Sequence, residues 1–274
     1  MTHASASNKQ RLLVTGAAGR VGTVLRPYLR ERFDLVLFDR VAALDATHDE
    51  QVVVGDLGSY DSVSSAMEGC DAVVHLACVH GLDLTFDASL EGNVRGTMHV
   101  LDAAVEHGVR RHVYTSSHHV FGLHDAKTFD ASHAPFAPDG HYALGKAFGE
   151  LAYRSHGMRH GWRTMVIRIG NAAPRVPDAR AGRMWVSARD LADLVRIGLT
   201  SPDVEFDVVY GVSNSQHPLF DNDRAHALGY EPRDWAEDHW ADDFLSDADM
   251  PDELGGRFVG GAYAAHSPVP TGTK

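Results

Sequence analysis

The sequence predicts an α/β fold with a doubly wound parallel sheet, accompanied by a small C-terminal lobe. Short apolar runs, rich in valine and leucine, alternate with longer segments of helical period over the first two-thirds of the 274 residues. This alternation is typical of right-handed βαβ units, which build a parallel sheet. A glycine-rich loop follows the first apolar run, and the alternation ends after Ile169.

Six strands are predicted, each a short and continuous apolar run, as expected where helices cover both faces of a sheet. They span residues 11–15, 34–38, 51–54, 72–76, 112–115 and 164–169. Helical periodicity predicts helices over residues 21–32, 60–68, 90–107 and 142–156. In the third helix the apolar residues recur at spacings of four, three and four, and Gly108 is expected to end it.

Beyond Ile169 the pattern changes to prolines, glycines and a cluster of arginines, with one more helix expected near residues 188–199. We therefore predict a flexible tail over residues 1–10, a dinucleotide-binding domain over 11–170 and a small substrate-binding lobe over 171–274. The lobe is expected to be interwoven with the main sheet. The first ten residues are polar and lack the apolar run of an export signal.

The composition excludes several classes of function. Lysine and arginine number 25 against 37 acidic residues, and the net charge of −12 argues against general binding to nucleic acids or anionic membranes. No run approaches the length of a membrane span. Two cysteines, Cys70 and Cys78, are too few for a disulfide framework and fit a reducing cytoplasm. The eighteen histidines lack the spacing of a metal-ligand set, so no metal is expected.

The glycine loop has the pattern G-x-x-G-x-x-G between the first strand and the first helix. Glycine lets a backbone approach a pyrophosphate, and a helix N-terminus offers unpaired N–H groups and a positive dipole end. A plain tight turn would explain the glycines alone, but their strand–turn–helix context favours a Rossmann-type dinucleotide site. Its expected cofactor contacts are Gly16, Ala18, Gly19, Arg20, Val21 and Gly22.

Two acidic residues at strand ends refine the choice of dinucleotide. Asp39 follows the second strand, where a carboxylate can accept hydrogen bonds from both ribose hydroxyls and would repel a 2′-phosphate. We therefore predict NAD, although the guanidinium of Arg40 could receive a 2′-phosphate. Asp56 follows the third strand and could reach the adenine amino group, or it could be an ordinary turn aspartate.

Tyr142 and Lys146 lie four residues apart, which puts a phenol and an ammonium on one helix face. With only four lysines and eight tyrosines in the chain, this spacing is not expected by chance. Ser117 ends the fifth strand, 25 residues before the tyrosine. His75 lies inside an apolar strand and is interpreted as a hydrogen-bonded core residue.

Together these residues resemble the extended short-chain dehydrogenase/reductases, also called the NAD-dependent epimerase/dehydratase family. The resemblance extends over nearly the whole chain and includes Arg168 and the segment 93–97. It implies a catalytic set of Ser117, Tyr142 and Lys146, with Asn93 supporting the lysine through a water or the backbone. It also implies cofactor contacts by Leu57, Leu76, Ala77, Asn93, Tyr142 and Lys146.

Several segments are more similar to uronate dehydrogenases, namely 11–19, 138–142, 146–150, 168–170 and the stretch leading to Trp185 and Asp190. The resemblance implies NAD-dependent oxidation of the anomeric carbon of a hexuronate to an aldarolactone. Tyr142 would be the general base, which near neutral pH requires a phenol pKa about 3 below its ordinary value near 10. The implied substrate contacts are His80, Ser117, His118, His119, Asn171 and Arg180.

Three of these positions depart from the uronate dehydrogenase pattern. The usual Ser-Ser-Asn-His is here Ser-Ser-His-His, with His118 in place of the asparagine, and His80 and Asn171 stand where serines are usual. The sugar is therefore open, and a neutral aldose dehydrogenase is an alternative. A nucleotide-sugar epimerase or reductase of the same fold and a non-catalytic dinucleotide sensor are further alternatives.

Arg183 would replace Arg180 as the carboxylate ligand if the loop were shifted. A homo-oligomer is expected.

Overall fold

In the computed structural model, which describes residues 9–43, 45–250 and 256–266, the main sheet has seven parallel strands. Their spatial order is β3-β2-β1-β4-β5-β6-β8. They are β1 (Gln10–Thr15), β2 (Phe33–Asp39), β3 (Gln51–Val54), β4 (Ala72–His75), β5 (Arg111–Ser117), β6 (Arg163–Ile169) and β8 (Phe206–Gly211). A separate parallel pair joins β7 (Val176–Asp178) to β9 (Trp240–Leu245). This is the predicted doubly wound architecture.

Helices cover both faces of the sheet. They are α1 (Arg20–Leu29), α2 (Tyr60–Met67), α3 (Phe86–Ser89), α4 (Gly96–Glu106), α5 (His141–His160), α6 (Ala179–Gly182), α7 (Ala188–Thr200), α8 (Asp223–Ala227) and α9 (Ala262–Ala265). A π-helical segment, Leu90–Arg95, joins α3 to α4, and 3₁₀ turns occur at His118–Phe121 and Ala236–His239. In the described residues no helix is both long and apolar enough to cross a membrane.

The apolar core consists of two layers, one on each face of the sheet. In β1, Leu12 packs in one layer and Leu13 in the other, because successive side chains of a strand point to opposite faces. Helix α7 contributes Leu194 to the first layer, and α4 contributes Leu101 to the second. This two-sided burial explains why the strands appear in the sequence as continuous apolar runs.

All six predicted strands occur, with bounds that differ by at most two residues. The sequence analysis missed β8, because the polar Asp207 interrupts its apolar run. In the structure Asp207 is largely buried and accepts a hydrogen bond of 2.6 Å from Nε of Arg224. Residues after 170 thus contribute one strand to the main sheet, while the proposed division at residue 170 stays a prediction. Of the predicted tail, residues 1–8 lie outside the described residues, and Gln10 already belongs to β1.

Helix ends were predicted less well. The predicted helix 21–32 ends at Leu29, and the predicted helix 142–156 continues to His160, where Gly161 in the left-handed region (φ 66°) ends it. The predicted helix 90–107 is wrong in detail, since the helical segment begins at Phe86 and has π-helical geometry before α4. Its predicted end at Gly108 is confirmed by a φ of +68°.

Candidate active site

A cavity of about 920 Å³ opens at the carboxyl ends of β1, β4, β5 and β6. Strand order reverses between β1 and β4, which is where ligands bind in open α/β sheets. Every predicted cofactor and substrate residue except Asn93 lines this cavity. The structure therefore brings together side chains that lie as far apart in the sequence as Gly16 and Arg180.

The glycine loop forms the cavity wall at the end of β1. Gly16 has a φ of +71°, and a Cβ on it would lie 2.6 Å from the backbone nitrogen of Ala77. A Cβ on Gly22 would lie 2.4 Å from the carbonyl oxygen of Gly16. Gly19 is the N-cap of α1 and brings no capping side chain, so N–H groups of the first turn are left for a ligand. The loop thus fits the pyrophosphate of a dinucleotide.

Asp39 lines the same cavity at the end of β2. Its Oδ2 accepts a hydrogen bond of 3.0 Å from the backbone N–H of Ala18, which fixes the carboxylate beside the glycine loop. Arg40 and Asp56 also line the cavity. The Oδ1 of Asp56 accepts a hydrogen bond of 2.7 Å from the N–H of Gly58, so this residue both forms a turn and faces the cavity.

Lys146 is held rigidly beneath the cavity. Its side chain is buried, and Nζ donates a hydrogen bond of 2.7 Å to the carbonyl oxygen of Thr115 on β5. The same nitrogen lies 5.8 Å from the centre of the Tyr142 ring. Because residues four apart share a helix face, α5 presents the phenol and the ammonium side by side.

Tyr142 is half-buried and lines the cavity, with its phenol near Cys78 and Ser117. Burial raises its pKa well above the ordinary value, the Cys78 thiol raises it further, and a hydrogen bond with the Ser117 side chain lowers it. The lowered pKa expected from the sequence is therefore not produced by the protein's own groups alone. Additional positive charge next to the phenol is required for it to act as a base near neutral pH.

The side chain of Asn93 is held by three hydrogen bonds, while its predicted support of Lys146 through a water or the backbone stays a prediction. It is buried in the π-helical segment, where its Oδ1 accepts a 2.8 Å hydrogen bond from the N–H of Val79. Its Nδ2 donates to the Val79 carbonyl oxygen at 2.9 Å and to the Ser89 hydroxyl at 3.1 Å. The described residues thus provide no hydrogen bond from Asn93 toward Lys146. Asn93 anchors the segment after β4, which carries Cys78 and His80.

The predicted substrate residues lie at the end of the cavity formed by β5 and β6. His118 is buried and its Nδ1 lies 3.2 Å from the carbonyl oxygen of Ile169. Burial lowers the pKa of this imidazole well below its usual value, so the ring is neutral. The His80 ring meets Tyr142 edge to face, with 6.2 Å between ring centres. Asn171 follows β6, and its Oδ1 accepts a 3.1 Å hydrogen bond from the N–H of Ala173.

His119 pairs with a carboxylate that the sequence analysis did not single out as a site residue. Its Nδ1 lies 2.6 Å from Oδ2 of Asp139. Burial lowers the pKa of His119 to about 3 and raises that of Asp139 to about 7. Two signals for Asp139 were present in the sequence, its position three residues before Tyr142 and its place in the segment 138–142 that resembles uronate dehydrogenases.

Arg180 faces the cavity, where burial lowers the pKa of its guanidinium and the nearby carboxylates of Asp178 and Asp139 oppose this shift. Its Nη1 donates a hydrogen bond of 3.1 Å to the carbonyl oxygen of Val259, and within the described residues it forms no salt bridge. Arg183, the predicted substitute, does not line the cavity, and its Nε donates to the carbonyl oxygen of His217. In residues 9–43, 45–250 and 256–266 no cluster of His, Cys, Asp or Glu could hold a metal.

The C-terminal segment 256–266 belongs to the predicted substrate-binding lobe, but none of its residues was predicted as a site residue. Gly260, Ala262 and Tyr263 line the cavity, and the Tyr263 ring packs against that of His119 at 4.5 Å between centres. The segment is attached through an isolated bridge between Phe258 and Asp125. Nothing in its sequence pattern indicates a site, since it is far along the chain from every motif.

Comparison with known proteins gives a consistent result. The model of the NAD dependent epimerase/dehydratase family matches residues 12–190. The uronate dehydrogenase of Pseudomonas syringae pv. tomato is 35% identical over 97% of this chain and 97% of its own length. The crystal structure of uronate dehydrogenase from Agrobacterium tumefaciens is similar with a TM-score of 0.86 and 30% identity, covering 95% of this chain and 98% of that chain. The structure of a mutant of that enzyme in complex with NAD is also similar, with a TM-score of 0.86 and 30% identity. The match covers 95% of this chain and 99% of that chain.

Proposed function

The chain belongs to the NAD-dependent epimerase/dehydratase family, and we propose that it is a dehydrogenase that oxidises the anomeric carbon of a hexuronate to an aldarolactone with NAD. Its similarity to uronate dehydrogenases extends over nearly the whole length of both chains. The glycine loop, Asp39 and the pair Tyr142 and Lys146 supply the parts that such a reaction needs.

NAD fits the glycine-loop end of the cavity. The uncapped N-terminus of α1 suits the pyrophosphate, and the carboxylate of Asp39 suits the ribose hydroxyls. Bound there, NAD would supply the acceptor for the hydride that leaves C1 of the sugar, and its oxidised nicotinamide would add positive charge to the site.

Tyr142 takes the proton of the C1 hydroxyl as general base. Lys146 stabilises the phenolate from beneath, since its ammonium is held near the Tyr142 ring by the Thr115 carbonyl oxygen. The Ser117 hydroxyl donates a hydrogen bond to the reacting oxygen and thereby orients the sugar.

The observation that carries the choice of a uronate is Arg180. A half-buried guanidinium that faces a cavity and forms no salt bridge among the described residues suits the planar carboxylate of a substrate. The carboxylates of Asp178 and Asp139 lie near enough to act on it electrostatically, but neither is paired with it. His80, His118, His119 and Asn171 lie around the same part of the cavity and offer hydrogen bonds to sugar hydroxyls.

Activity on matched sugars tests the proposal. The protein is mixed with NAD and glucuronate, galacturonate, the corresponding neutral aldoses or a UDP-sugar, and NADH formation is followed at 340 nm. We expect NADH with the free hexuronates. Activity confined to neutral aldoses would reject the uronate and leave the dehydrogenase, whereas no NADH with any sugar would reject the dehydrogenase itself.

The role of Arg180 has its own test. Arg180→Ala should raise KM for the uronate at least about tenfold more than KM for the neutral sugar, since only the acid loses a charge-assisted hydrogen bond. Arg183→Ala is the matched control, because its guanidinium lies outside the cavity. Equal effects of Arg180→Ala on both sugars would contradict a carboxylate site at this residue.

We also propose a homo-oligomer that forms through α5. Leu144, Leu151 and Met158 recur every seven residues along this helix, and each is more than half exposed. An exposed apolar stripe of this kind usually meets another surface. Light scattering should give a mass above 29.8 kDa for the wild type, and Leu151→Glu should lower it. Val54→Glu, an equally exposed apolar position on β3, is the control.

The cytoplasm is the location that we propose. Cys70 and Cys78 are both free thiols, and Cys78 lines the cavity beside Tyr142, where its oxidation would interfere with the site. Such a thiol stays reduced in the cytoplasm. Detection of the native protein in a periplasmic or secreted fraction would contradict this placement.

A further inference from the structure

A buried carboxylate stands behind one of the cavity's histidines. The side chain of Asp139 is fully buried, and its Oδ2 lies 2.6 Å from Nδ1 of His119. Burying a carboxylate is costly unless it is hydrogen-bonded. Among the described residues, Oδ1 of Asp139 has no hydrogen-bond partner, and the Arg180 guanidinium acts on the carboxylate only electrostatically, so His119 is its one hydrogen-bonded side-chain partner.

The surrounding backbone leaves room for this carboxylate. A Cβ on Gly122 would lie 1.9 Å from Oδ2 of Asp139, and a Cβ on Gly260 would lie 1.8 Å from the same atom. Both glycines therefore allow close backbone approach to the carboxylate from two sides. The carboxylate is confined against His119 and has little freedom to turn away from it.

His119 occupies a sensitive place in the cavity. Its ring centre lies 5.8 Å from that of Tyr142 and 4.5 Å from that of Tyr263, and the residue lines the cavity. With Nδ1 bonded to Asp139, Nε2 has no hydrogen-bond partner among the described residues. A neutral imidazole carries its proton on one nitrogen only, so the partner of Nδ1 decides what Nε2 can do.

We propose that Asp139 is a positioning residue, which holds His119 with the proton on Nδ1 and so makes Nε2 a hydrogen-bond acceptor for a hydroxyl of the sugar. An ionised carboxylate can only accept, and it therefore selects the Nδ1–H form. The inference rests on the proposed function, because it assigns Nε2 to the sugar substrate. It adds a residue outside the predicted set, one that acts on the substrate through His119.

The protonation of His119 can be read directly. In protein labelled with ¹⁵N in the histidine rings, the chemical shifts of the two nitrogens distinguish a protonated from a bare position, and His119→Gln assigns the signals by difference. The measurement is made at pH 8.5, where Asp139 is ionised despite its raised pKa. We expect a protonated Nδ1 and a bare Nε2 in the wild type. A protonated Nε2 would overturn the proposal. This NMR measurement needs no substrate. A protonated Nε2 would therefore contradict the role of Asp139 without bearing on whether the substrate is a uronate.

Kinetics test the consequence for the sugar. Asp139→Asn keeps the size of the side chain, but its amide can donate to Nδ1 and so favour the opposite protonation of the ring. We expect KM for the sugar to rise about tenfold, the loss of one good hydrogen bond, while KM for NAD changes less than about twofold. Unchanged NAD binding shows that the variant is folded.

A double-mutant cycle separates positioning from a structural role. If Asp139 acts through His119, Asp139→Asn should change KM for the sugar less than about twofold in a His119→Gln background. A tenfold effect in both backgrounds would overturn the proposal and assign Asp139 to holding the segment of Gly260. An unchanged KM in the Asp139→Asn single variant would also overturn it.

Discussion

At the scale of single residues, the role that we propose for Tyr142 as general base sets two opposing requirements. Tyr142 must be buried to meet the sugar, and burial raises the pKa of its phenol. It must also lose its proton near neutral pH to act as a base. Lys146 and a bound dinucleotide supply the positive charge that reconciles the two, so catalysis should depend on the phenol itself more than on any packing that Tyr142 provides.

Tyr142→Phe tests this dependence. Only a hydroxyl is lost, so the fold should persist, while kcat should fall by at least about two orders of magnitude, the scale of a general base. The measurement is steady-state NADH formation, with the dissociation constant of NAD from fluorescence as the control. Turnover within tenfold of the wild type in a variant that still binds NAD would contradict the role of Tyr142.

We expect Asp39 to determine a preference for NAD over NADP. In Asp39→Ala, kcat/KM for NAD should fall by about ten- to a hundredfold, because hydrogen bonds to a charged group contribute about 1.5–3 kcal/mol each. In the same variant, kcat/KM for NADP should fall less than kcat/KM for NAD, or rise, because the carboxylate no longer repels the 2′-phosphate. Arg40→Ala is the control and should leave the value for NAD nearly unchanged. A wild type that uses NADP better than NAD would contradict the assignment.

At the scale of elements, α5 links the catalytic pair to the sheet. Tyr142, Lys146 and Glu150 recur every four residues and therefore share one face. Glu150 forms a buried ion pair with Arg168 on β6, at 2.8 Å between Nη2 and Oε2, and accepts a hydrogen bond from Ser116 on β5. The helix is thus attached to the ends of both strands that border the substrate side of the cavity.

Close approach of α5 to β5 depends on Gly149. A Cβ there would lie 2.1 Å from the hydroxyl oxygen of the buried Tyr114, so Gly149→Ala should lower the free energy of unfolding by about 1–3 kcal/mol through overpacking. Gly157→Ala in the same helix is the control. Its nearest neighbours would be 3.9 Å away, and removing a helical glycine there should stabilise by about 0.5–1 kcal/mol.

Urea denaturation of the two variants provides the measurement. The two substitutions are chemically identical and lie in one helix, so helix propensity cancels in the comparison. A Gly149→Ala protein as stable as the Gly157→Ala protein would show that the helix has more space against β5 than the structure gives it.

At the scale of the whole molecule, buried histidines link stability to pH. Burial lowers the pKa of His75 and His119 to about 3 and that of His112 to about 4, and His118 shifts in the same direction. In the unfolded chain a histidine titrates near 6.5. Between about pH 4 and 6.5 the unfolded chain therefore binds more protons, and stability is lost as the pH falls through this range. Asp139, with its raised pKa, acts in the opposite direction.

His112 allows the effect of a buried histidine on stability to be measured away from the cavity. Its ring stacks on that of Trp162, which belongs to the second apolar layer. In His112→Gln, the slope of the unfolding free energy between pH 4.5 and 6 should decrease by up to about 1.4 kcal/mol per pH unit, the value for one proton. Urea midpoints across this range provide the measurement, and His217→Gln, at an exposed position, should leave the slope unchanged. An unchanged slope in His112→Gln would mean that His112 is protonated in the folded protein.

The sequence by itself determined the strands, the parallel sheet, the dinucleotide loop and the pair Tyr142 and Lys146. These features are local, because the periodicity of apolar residues and short spacings such as four residues on a helix follow from backbone geometry alone. The N-terminal strand and glycine loop could be predicted for the same reason, since strand, turn and helix are adjacent in the chain. The missed strand β8 shows the limit, since its buried Asp207 is stabilised by Arg224 on α8 and by the backbone N–H of Glu205.

Only the tertiary structure decided the substrate side of the cavity. The pairing of Asp139 with His119, the packing of Tyr263 on that ring and the position of Arg180 rather than Arg183 all depend on segments remote in the sequence. The hydrogen bond between Asn93 and Val79 is likewise a tertiary contact, and no spacing of residues in the sequence predicts it. Long-range contacts and burial set these positions and the pKa of each group, and neither is encoded in any local pattern of residues.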